Sequence, residues 1–278
     1  MNQPLVSVIV TTKNNHATLD ACLKSIAVQT YRHQELIVVD NNSTDDTVEI
    51  ARRYTDLVFT YGPERSAQRN YAVRRARGKY VLIIDSDMEL GKEVVRACVQ
   101  QVANSPDAKA VIIPEESFGE GFWARCKHLE RSFYVGVDAI EAARFIEADT
   151  YRQVGGFNEA LTGGEDWDLT WRLRKHGQIV RVPTFIRHNE GRVRFSRSAR
   201  KMYYYGRHAG AYFVANPTAS IVHNASGPLA RYRLFFSRPG RLIRHPFVAA
   251  GMLIFKATEY AAAGMGYWRA KSGIGERA

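Results

Sequence analysis

Residues 35–46, Glu-Leu-Ile-Val-Val-Asp-Asn-Asn-Ser-Thr-Asp-Asp, pass from a β-branched run (ELIVVD, 35–40) through a polar turn to a helix start, and this transition decides the fold. The same step occurs at 5–11 (LVSVIVT), ahead of Thr12-Lys13-Asn14-Asn15, and at 80–85 (YVLIID), ahead of Ser86-Asp87. Short runs apolar at nearly every position belong to strands covered on both faces, and their alternation with helical segments reads as βαβ units around a parallel sheet. Between the first two runs, Leu19, Leu23 and Ile26 have helical spacing over residues 19–28, which return the chain. After Asp40, Ser43-Thr44-Asp45-Asp46 fits a capping box for a helix extending to Tyr54.

Further along, residues 110–114 resemble another buried strand and 123–143 read as helical or irregular. Gly155-Gly156 and Gly163-Gly164 bracket a loop before a helix over 165–176, which Gly177 can end in the left-handed conformation. Trp167 and Trp171, at i and i+4, are placed to pack that helix onto the sheet. No repeat or long linker interrupts the chain. Composition changes near Gly191, which predicts a body over 1–191 and a C-terminal region over 192–278.

Open α/β sheets bind ligands at the carboxyl ends of their strands, so the residues just beyond each run are the first candidates for chemistry. The first run leads into TTKNN, not into a GxGxxG or GxxxxGK[ST] loop, which sets aside a Rossmann dinucleotide site and a P-loop. Asp85-Ser86-Asp87 places two carboxylates at i and i+2 beyond an apolar strand. Such hard oxygen ligands suit Mg²⁺ or Mn²⁺ on a diphosphate, although the same residues also make a solvated strand-end turn. Asp40 can accept a hydrogen bond from a base or ribose, or start an Asx-turn. Glu165, Asp166 and Asp168 crowd a helix start, where the dipole stabilises carboxylates whatever their role. Asp168 lies roughly 200° around the helix from Asp166, so the two cannot serve one substrate. His188, after an apolar run, is either structural or a metal ligand.

Taken in order, TTKNN, ELIVVDNNSTDDT, RSAQRN, LIIDSD, VGGF, GGEDWDLTWRL and HNEG resemble the pattern of glycosyltransferase family 2 over roughly residues 5–191. The resemblance implies a GT-A fold: a mixed, mostly parallel nucleotide-binding sheet flanked by helices, here with a basic helical C-terminal tail. It implies an inverting, metal-dependent transfer of sugar from a nucleotide-sugar to an acceptor hydroxyl. Thr11, Thr12, Asn14 and Asp40 would line the nucleoside pocket, with Arg69 and Asp85 near the nucleotide. Asp87 and His188 would hold Mn²⁺ or Mg²⁺, Asp166 would be the catalytic base, and Glu165 and Trp167 would face the acceptor or a neighbouring loop. Two departures stand out: Met88 follows the acidic pair where a further acid is frequent, and Gln68-Arg69-Asn70 stands where Ala-Arg-Asn is more usual.

The formal charge of +11 is unevenly placed. Residues 192–278 carry 15 Lys and Arg against 2 Asp and Glu, while 1–191 are near neutral. A basic tail seeks an anionic surface. Its aromatics, Tyr203-Tyr204-Tyr205 and Tyr212-Phe213, would suit a nucleic-acid-binding protein, but its apolar clusters 234–236, 242–243 and 247–255 fit an interfacial helix better. The expected partner is therefore a membrane surface and a lipid-linked or other saccharide acceptor, with no nucleic acid. The stretch 247–268, broken by Lys256 and Glu259, is a poor membrane span. A nucleotidyltransferase would share the sheet and acidic ligands but needs a glycine-rich loop where TTKNN stands. Cys22, Cys98 and Cys126 are too few and too scattered for a disulfide framework, which predicts reduced, buried thiols. The apolar pattern starts directly after Met-Asn-Gln-Pro, without a signal-type segment, which predicts a cytoplasmic location, peripheral on the inner membrane face.

Overall fold

A computed structural model of the chain describes residues 3–215 and 227–272. The strands are β1 (Val6–Thr12), β2 (Gln34–Asp40), β3 (Val58–Thr60), β4 (Tyr80–Asp85), β5 (Met88–Leu90), β6 (Ala108–Ile112), β7 (Glu115–Glu120), β8 (Ala143–Glu147), β9 (Gln178–Arg181) and β10 (Ile186–Arg192). The helices are α1 (His16–Ala27), α2 (Thr47–Arg52), α3 (Arg65–Val73), α4 (Val94–Ala103), α5 (Gly121–Tyr134), α6 (Ala148–Gln153), α7 (Glu165–Leu173) and α8 (Phe195–Ala215). Three more follow: α9 (Pro228–Phe236), α10 (Pro239–Arg244) and α11 (Pro246–Lys271). Two compact units result. The first comprises Met1–Glu115, Glu141–Glu159 and Glu165–Asn189; the second comprises Glu116–Ile140, Ala160–Gly164 and Glu190–Ala278.

The first unit is the expected mixed, mostly parallel sheet, with strand order β3-β2-β1-β4-β8-β6-β9. β1 runs parallel to both β2 and β4, in a register that sets Thr11 beside Asp85 and Thr12 beside Asp40. The three polar strand ends therefore share one edge of the sheet, as open α/β topology requires. β8 enters antiparallel between β4 and β6. Alternation along each strand feeds two cores. Val8, Val10, Leu82 and Ile84 pack with Leu19, Leu23, Val95 and Cys98 of α1 and α4. Ile9, Val81 and Ile83 pack on the other face with Val73 of α3, Tyr151 of α6, and Leu169 and Leu173 of α7.

Four local expectations are corrected. Ser43 makes no capping box: its backbone N–H and hydroxyl both donate to Asp40, three residues earlier and at the strand end. Asp45 instead accepts from the N–H and hydroxyl of Thr47, where α2 starts. Leu169 and Leu173, rather than the tryptophans, seat α7 on the sheet; Trp167 and Trp171 are only half-buried, and Lys175 lies 3.6 Å over the Trp171 ring. Gly177 is not left-handed, and its need for glycine comes from crowding, since a Cβ there would stand 2.6 Å from the Asp107 carbonyl oxygen. Finally, residues 123–143 are helical to Tyr134, in α5, and irregular from there to residue 142, as read, but Ala143 already opens β8.

In the second unit, α5 and α9–α11 enclose a core of Cys126, Leu129, Phe133, Phe235, Ala249 and Met252. α9, α10 and α11 each begin with proline, whose fixed φ suits a first helical position and whose missing N–H would be unpaired there anyway. α8 and α11 cross closely on glycine: a Cβ on Gly206 would meet the Ala263 carbonyl oxygen at 2.0 Å, and one on Gly266 the Tyr203 carbonyl oxygen at 2.2 Å. The charges that interrupt the apolar C-terminal stretch are turned inward. Lys256 pairs with Glu130 at 2.6 Å and Glu259 with Lys127 at 2.7 Å, both partners lying on α5. Burial pulls the Lys256 ammonium down, but Glu130 and Glu259 outweigh it and raise it above its ordinary value. All three cysteines are free and buried, as expected. The side chains of Tyr212 and Phe213, and residues 273–278 of the tail, lie outside the described residues.

The close crossing yields a stability prediction. Gly206→Ala should cost about 1–3 kcal/mol, because carbonyl backbone cannot give way as a side-chain tip can. Gly264→Ala, on the opposing helix α11 but with nothing within 4 Å of the new methyl, should be neutral or stabilising. Equilibrium urea unfolding of the two variants distinguishes them, and equal destabilisation would contradict the packing described.

Candidate active site

The site forms where β1, β2 and β4 end and where α3 and α7 begin. Its centre is Arg69, whose side chain is 1% exposed. One guanidinium nitrogen donates to Asp85 Oδ1 at 2.6 Å; the other donates to Asp166 Oδ1 at 3.0 Å and stands 3.6 Å from Glu165 Oε1. The same guanidinium lies 4.8 Å from the centroid of the Phe157 ring. A single buried cation thus joins the end of β4 to the start of α7. Burial pulls the Arg69 guanidinium down, and the Asp85, Asp166 and Glu165 carboxylates more than reverse this.

Asp85 is held from a second side by Arg144, 3.6 Å away, which in turn pairs with Glu115 at 2.7 Å. Burial raises the Asp85 carboxyl, but the Arg69, Arg144 and Arg65 guanidiniums outweigh it and hold it well below the usual carboxylate range. Asp85 is therefore occupied by protein cations.

Asp87 stands differently. Its Oδ2 lies 3.3 Å from His188 Nε2, while its Oδ1 is buried and has no hydrogen-bond partner among the described residues. The pairing of β10 with β5 brings His188 opposite Met88, and the Asn189 N–H donates to the Asp87 carbonyl at 2.8 Å. The hydrophobic Met88 is buried, so the position where an acid is frequent serves the core here. A buried carboxylate oxygen without a donor, beside an imidazole nitrogen, is a donor pair that fits a divalent cation. Among the described residues no group of three or more His, Cys, Asp or Glu forms a metal cage, so any such cation would need further ligands from its substrate.

Asp40 is buried and closes an Asx-type turn through Ser43. Thr11 and Thr12 are also buried, and Thr12 Oγ1 has no partner among the described residues. Asn14 adopts φ 47°, a conformation that asparagine tolerates better than most residues, and its side-chain amide oxygen accepts from the Thr44 N–H. Each residue of Gln68-Arg69-Asn70 has a separate task. Gln68 donates to the carbonyls of Thr12 and Val39, tying the ends of β1 and β2, which alanine could not do. Asn70 donates to the Phe157 carbonyl and accepts from the Phe157 N–H, which fixes the ring under Arg69.

The helix-start carboxylates separate as the helical geometry predicts. Asp166 keeps a third of its side chain exposed (34%), while Asp168 is buried against Arg172. Glu165 does not face outward toward an acceptor: its carboxylate is 2% exposed and bonds Arg65 at 2.5 Å, locking α7 to α3. Sequence reasoning missed Arg65, Arg144 and Glu115. Arg65 was accessible as a residue one helical turn before Arg69, and Arg144 as a charge inside an otherwise apolar strand.

Residues 7–155 match the Glycosyl transferase family 2 profile. The chain belongs to glycosyltransferase family 2. Among curated family relatives, validoxylamine A glucosyltransferase of Streptomyces hygroscopicus subsp. limoneus is 28% identical over 220 residues, covering 63% of this chain and 49% of that protein. An Escherichia coli UDP-Glc:alpha-D-GlcNAc-diphosphoundecaprenol beta-1,3-glucosyltransferase is 35% identical over 88 residues, 30% of this chain and 35% of that one. The chain spans about half or less of the length of the curated relatives it matches. A mannosyltransferase from Pyrobaculum calidifontis, solved in complex with GDP-Man and Mn²⁺, superposes with a TM-score of 0.65 at 20% identity, covering 96% of this chain and 88% of that one. That likeness establishes the GT-A fold.

Asp85, Asp166 and Glu165 thus share one buried guanidinium, which makes Arg69 testable by stability alone. Arg69→Met removes the one cation shared by Asp85, Asp166 and Glu165, leaving Arg144 beside Asp85 and Arg65 beside Glu165, and should cost about 3–5 kcal/mol in urea unfolding. Adding Glu165→Gln should restore part of that loss by removing the most buried of the three charges.

Proposed function

We propose that this chain is an inverting glycosyltransferase that moves a sugar from a nucleoside-diphosphate donor to an acceptor hydroxyl. The observation that carries the reading is the division of labour among the carboxylates. Asp85 is neutralised by Arg69 and Arg144, Asp87 offers an unpartnered oxygen beside His188, and Asp166 remains partly exposed on a fixed helix start.

Asp87 and His188 would hold Mn²⁺ or Mg²⁺, which, when bound, neutralises charge that accumulates on the leaving diphosphate. The donor's nucleoside lies along Thr11, Thr12, Asn14 and Asp40, where the buried Thr12 Oγ1 has no partner among the described residues. Asp166 takes the proton from the acceptor hydroxyl as its oxygen attacks the anomeric carbon in line, inverting the configuration. Arg69, bonded to Asp166 Oδ1, fixes the direction from which the carboxylate meets the acceptor.

The acceptor in this reading is a saccharide carried on a lipid, as in cell-envelope glycan synthesis, and the protein works peripherally on the cytoplasmic face of a membrane. The strongly basic composition of residues 192–278 supports this, as does the diphosphoundecaprenol-linked substrate in the name of the E. coli relative. Among the described residues no helix is long and apolar enough to cross a membrane.

A screen of UDP-, GDP- and dTDP-sugars, read by nucleotide release with and without Mn²⁺, tests the activity and identifies the donor. Asp166→Asn should lose about 10²–10⁴-fold in turnover while retaining donor binding. Asp87→Ala should abolish metal-stimulated release with an unchanged unfolding midpoint. Full turnover of Asp87→Ala in excess chelator, or a product of retained anomeric configuration, overturns the mechanism.

A further inference from the structure

α11 is apolar around most of its circumference, yet only half of it is covered. Its buried arc includes Met252, Phe255, Lys256 and Glu259, the two charges being consumed by Glu130 and Lys127 of α5. Its outward arc includes Phe247, Ile254, Ala257, Ala261, Met265 and Trp268, all exposed, with Phe247 at 84% and Trp268 at 66%. At 3.6 residues per turn these six fall within an arc of roughly 80°, over a length of roughly 32 Å. No charged side chain interrupts that stripe. The outward face of a helix on a soluble protein normally carries the polar residues, so a bare apolar stripe of this length marks a surface that something apolar covers.

The surroundings identify the cover. Arg244 and His245 stand at one end of the stripe and Arg269 and Lys271 at the other, all exposed. On α9, Leu229, Arg233 and Phe236 occupy the outward face, opposite the buried Arg231 and Phe235, and exposed Ile243 continues the pattern on α10. Not every arginine of the region is available. Arg231 is buried with its guanidinium 4.4 Å from the Tyr134 ring centroid, and Arg238 and Arg241 donate to the Phe133 and Ser132 carbonyls of α5. Residues 192–258 contain no Asp or Glu. An apolar stripe bordered by cations, in a stretch without an acid from 192 to 258, complements an anionic lipid bilayer: side chains enter the acyl boundary while guanidiniums meet phosphates.

We infer that α11 lies flat in the surface of an anionic membrane, its Phe247–Trp268 stripe embedded and the outward residues of α9 and α10 embedded beside its start. This deepens the reading of a membrane-bound acceptor, and assigns attachment to one helix face rather than to the basic tail as a whole.

Co-sedimentation of the full chain with phosphatidylcholine vesicles, with and without phosphatidylglycerol, tests the inference. Wild type should pellet with the anionic vesicles, and less so at high salt. Ile254→Glu combined with Ala261→Glu puts two carboxylates on the stripe and should lower binding about tenfold or more, with an unchanged unfolding midpoint. Arg233→Glu combined with Arg244→Glu disturbs no buried contact and should remove the preference for anionic lipid, which keeps the test decisive if the first pair fails to fold. Binding by both pairs equal to wild type would overturn the proposal. So would a wild-type dimer in the ultracentrifuge that the stripe variants dissociate without any vesicle binding, since a second copy would then be the cover. Nucleotide release toward a soluble acceptor, followed in the same variants, should not change. Absence of release even in wild type would sink the glycosyl-transfer reading and leave the vesicle result standing.

Discussion

The join between the end of β4 and the start of α7 depends on the burial of one guanidinium. Arg69 is almost wholly removed from water, and a cation so placed is tolerable only because three carboxylates from two separate elements meet it. The dependence runs both ways. Glu165 is as buried as Arg69, and without the two arginines of α3 its charge would have no counterpart. Planar, forked donors suit this task, because a single group reaches Asp85 with one nitrogen and Asp166 with another. The ring of Phe157 beneath it, fixed by Asn70, limits where the fork can point.

This arrangement also explains why two aspartates in one short motif have different environments. Asp85 is the last residue of β4, and Asp87 lies in the turn between β4 and β5. What separates them is their partners. Arg144 comes from β8, the antiparallel strand inserted beside β4, and takes Asp85. β10 brings His188 to Asp87. The insertion of β8 into the parallel series therefore has a chemical consequence as well as a topological one.

The sheet and its acidic edge were legible because both rest on local signals: short apolar runs, two of which end in a carboxylate, Asp40 and Asp85. Helices α1 and α7 were legible for the same reason, through the spacing of Leu19, Leu23 and Ile26 and through the double glycine ahead of Glu165. Arg144 and Glu115 were not, because they are 59 and 30 residues from Asp85 in sequence, and only the strand order makes them neighbours. The capping box failed for a related reason: the Ser43 oxygen that would accept from a helix N–H accepts instead from the Asn14 N–H, 29 residues away in sequence, while its proton goes to Asp40. In the tail, a linear hydropathy reading counts Lys256 and Glu259 as interruptions, whereas the helix turns both toward α5 and leaves the opposite side uncharged. Likewise, composition places a change near Gly191, while the clustering of 116–140 and 160–164 with the later residues is a long-range property with no local signature.

The paired charges between α5 and α11 have a mechanical consequence. Lys256 and Glu259 are one turn apart, and each is bound to a partner that is itself about one turn from the next, Lys127 and Glu130. Apolar contacts alone would let a helix rich in alanine and glycine roll about its axis at little energetic cost, since one small side chain fills a gap about as well as another. Four opposite charges interleaved in a dry contact do not allow that freedom: any roll that separates them strands a charge away from water. The quartet therefore sets the angular phase of α11, and with it which of two similarly greasy sides of one helix is kept inside and which is turned out.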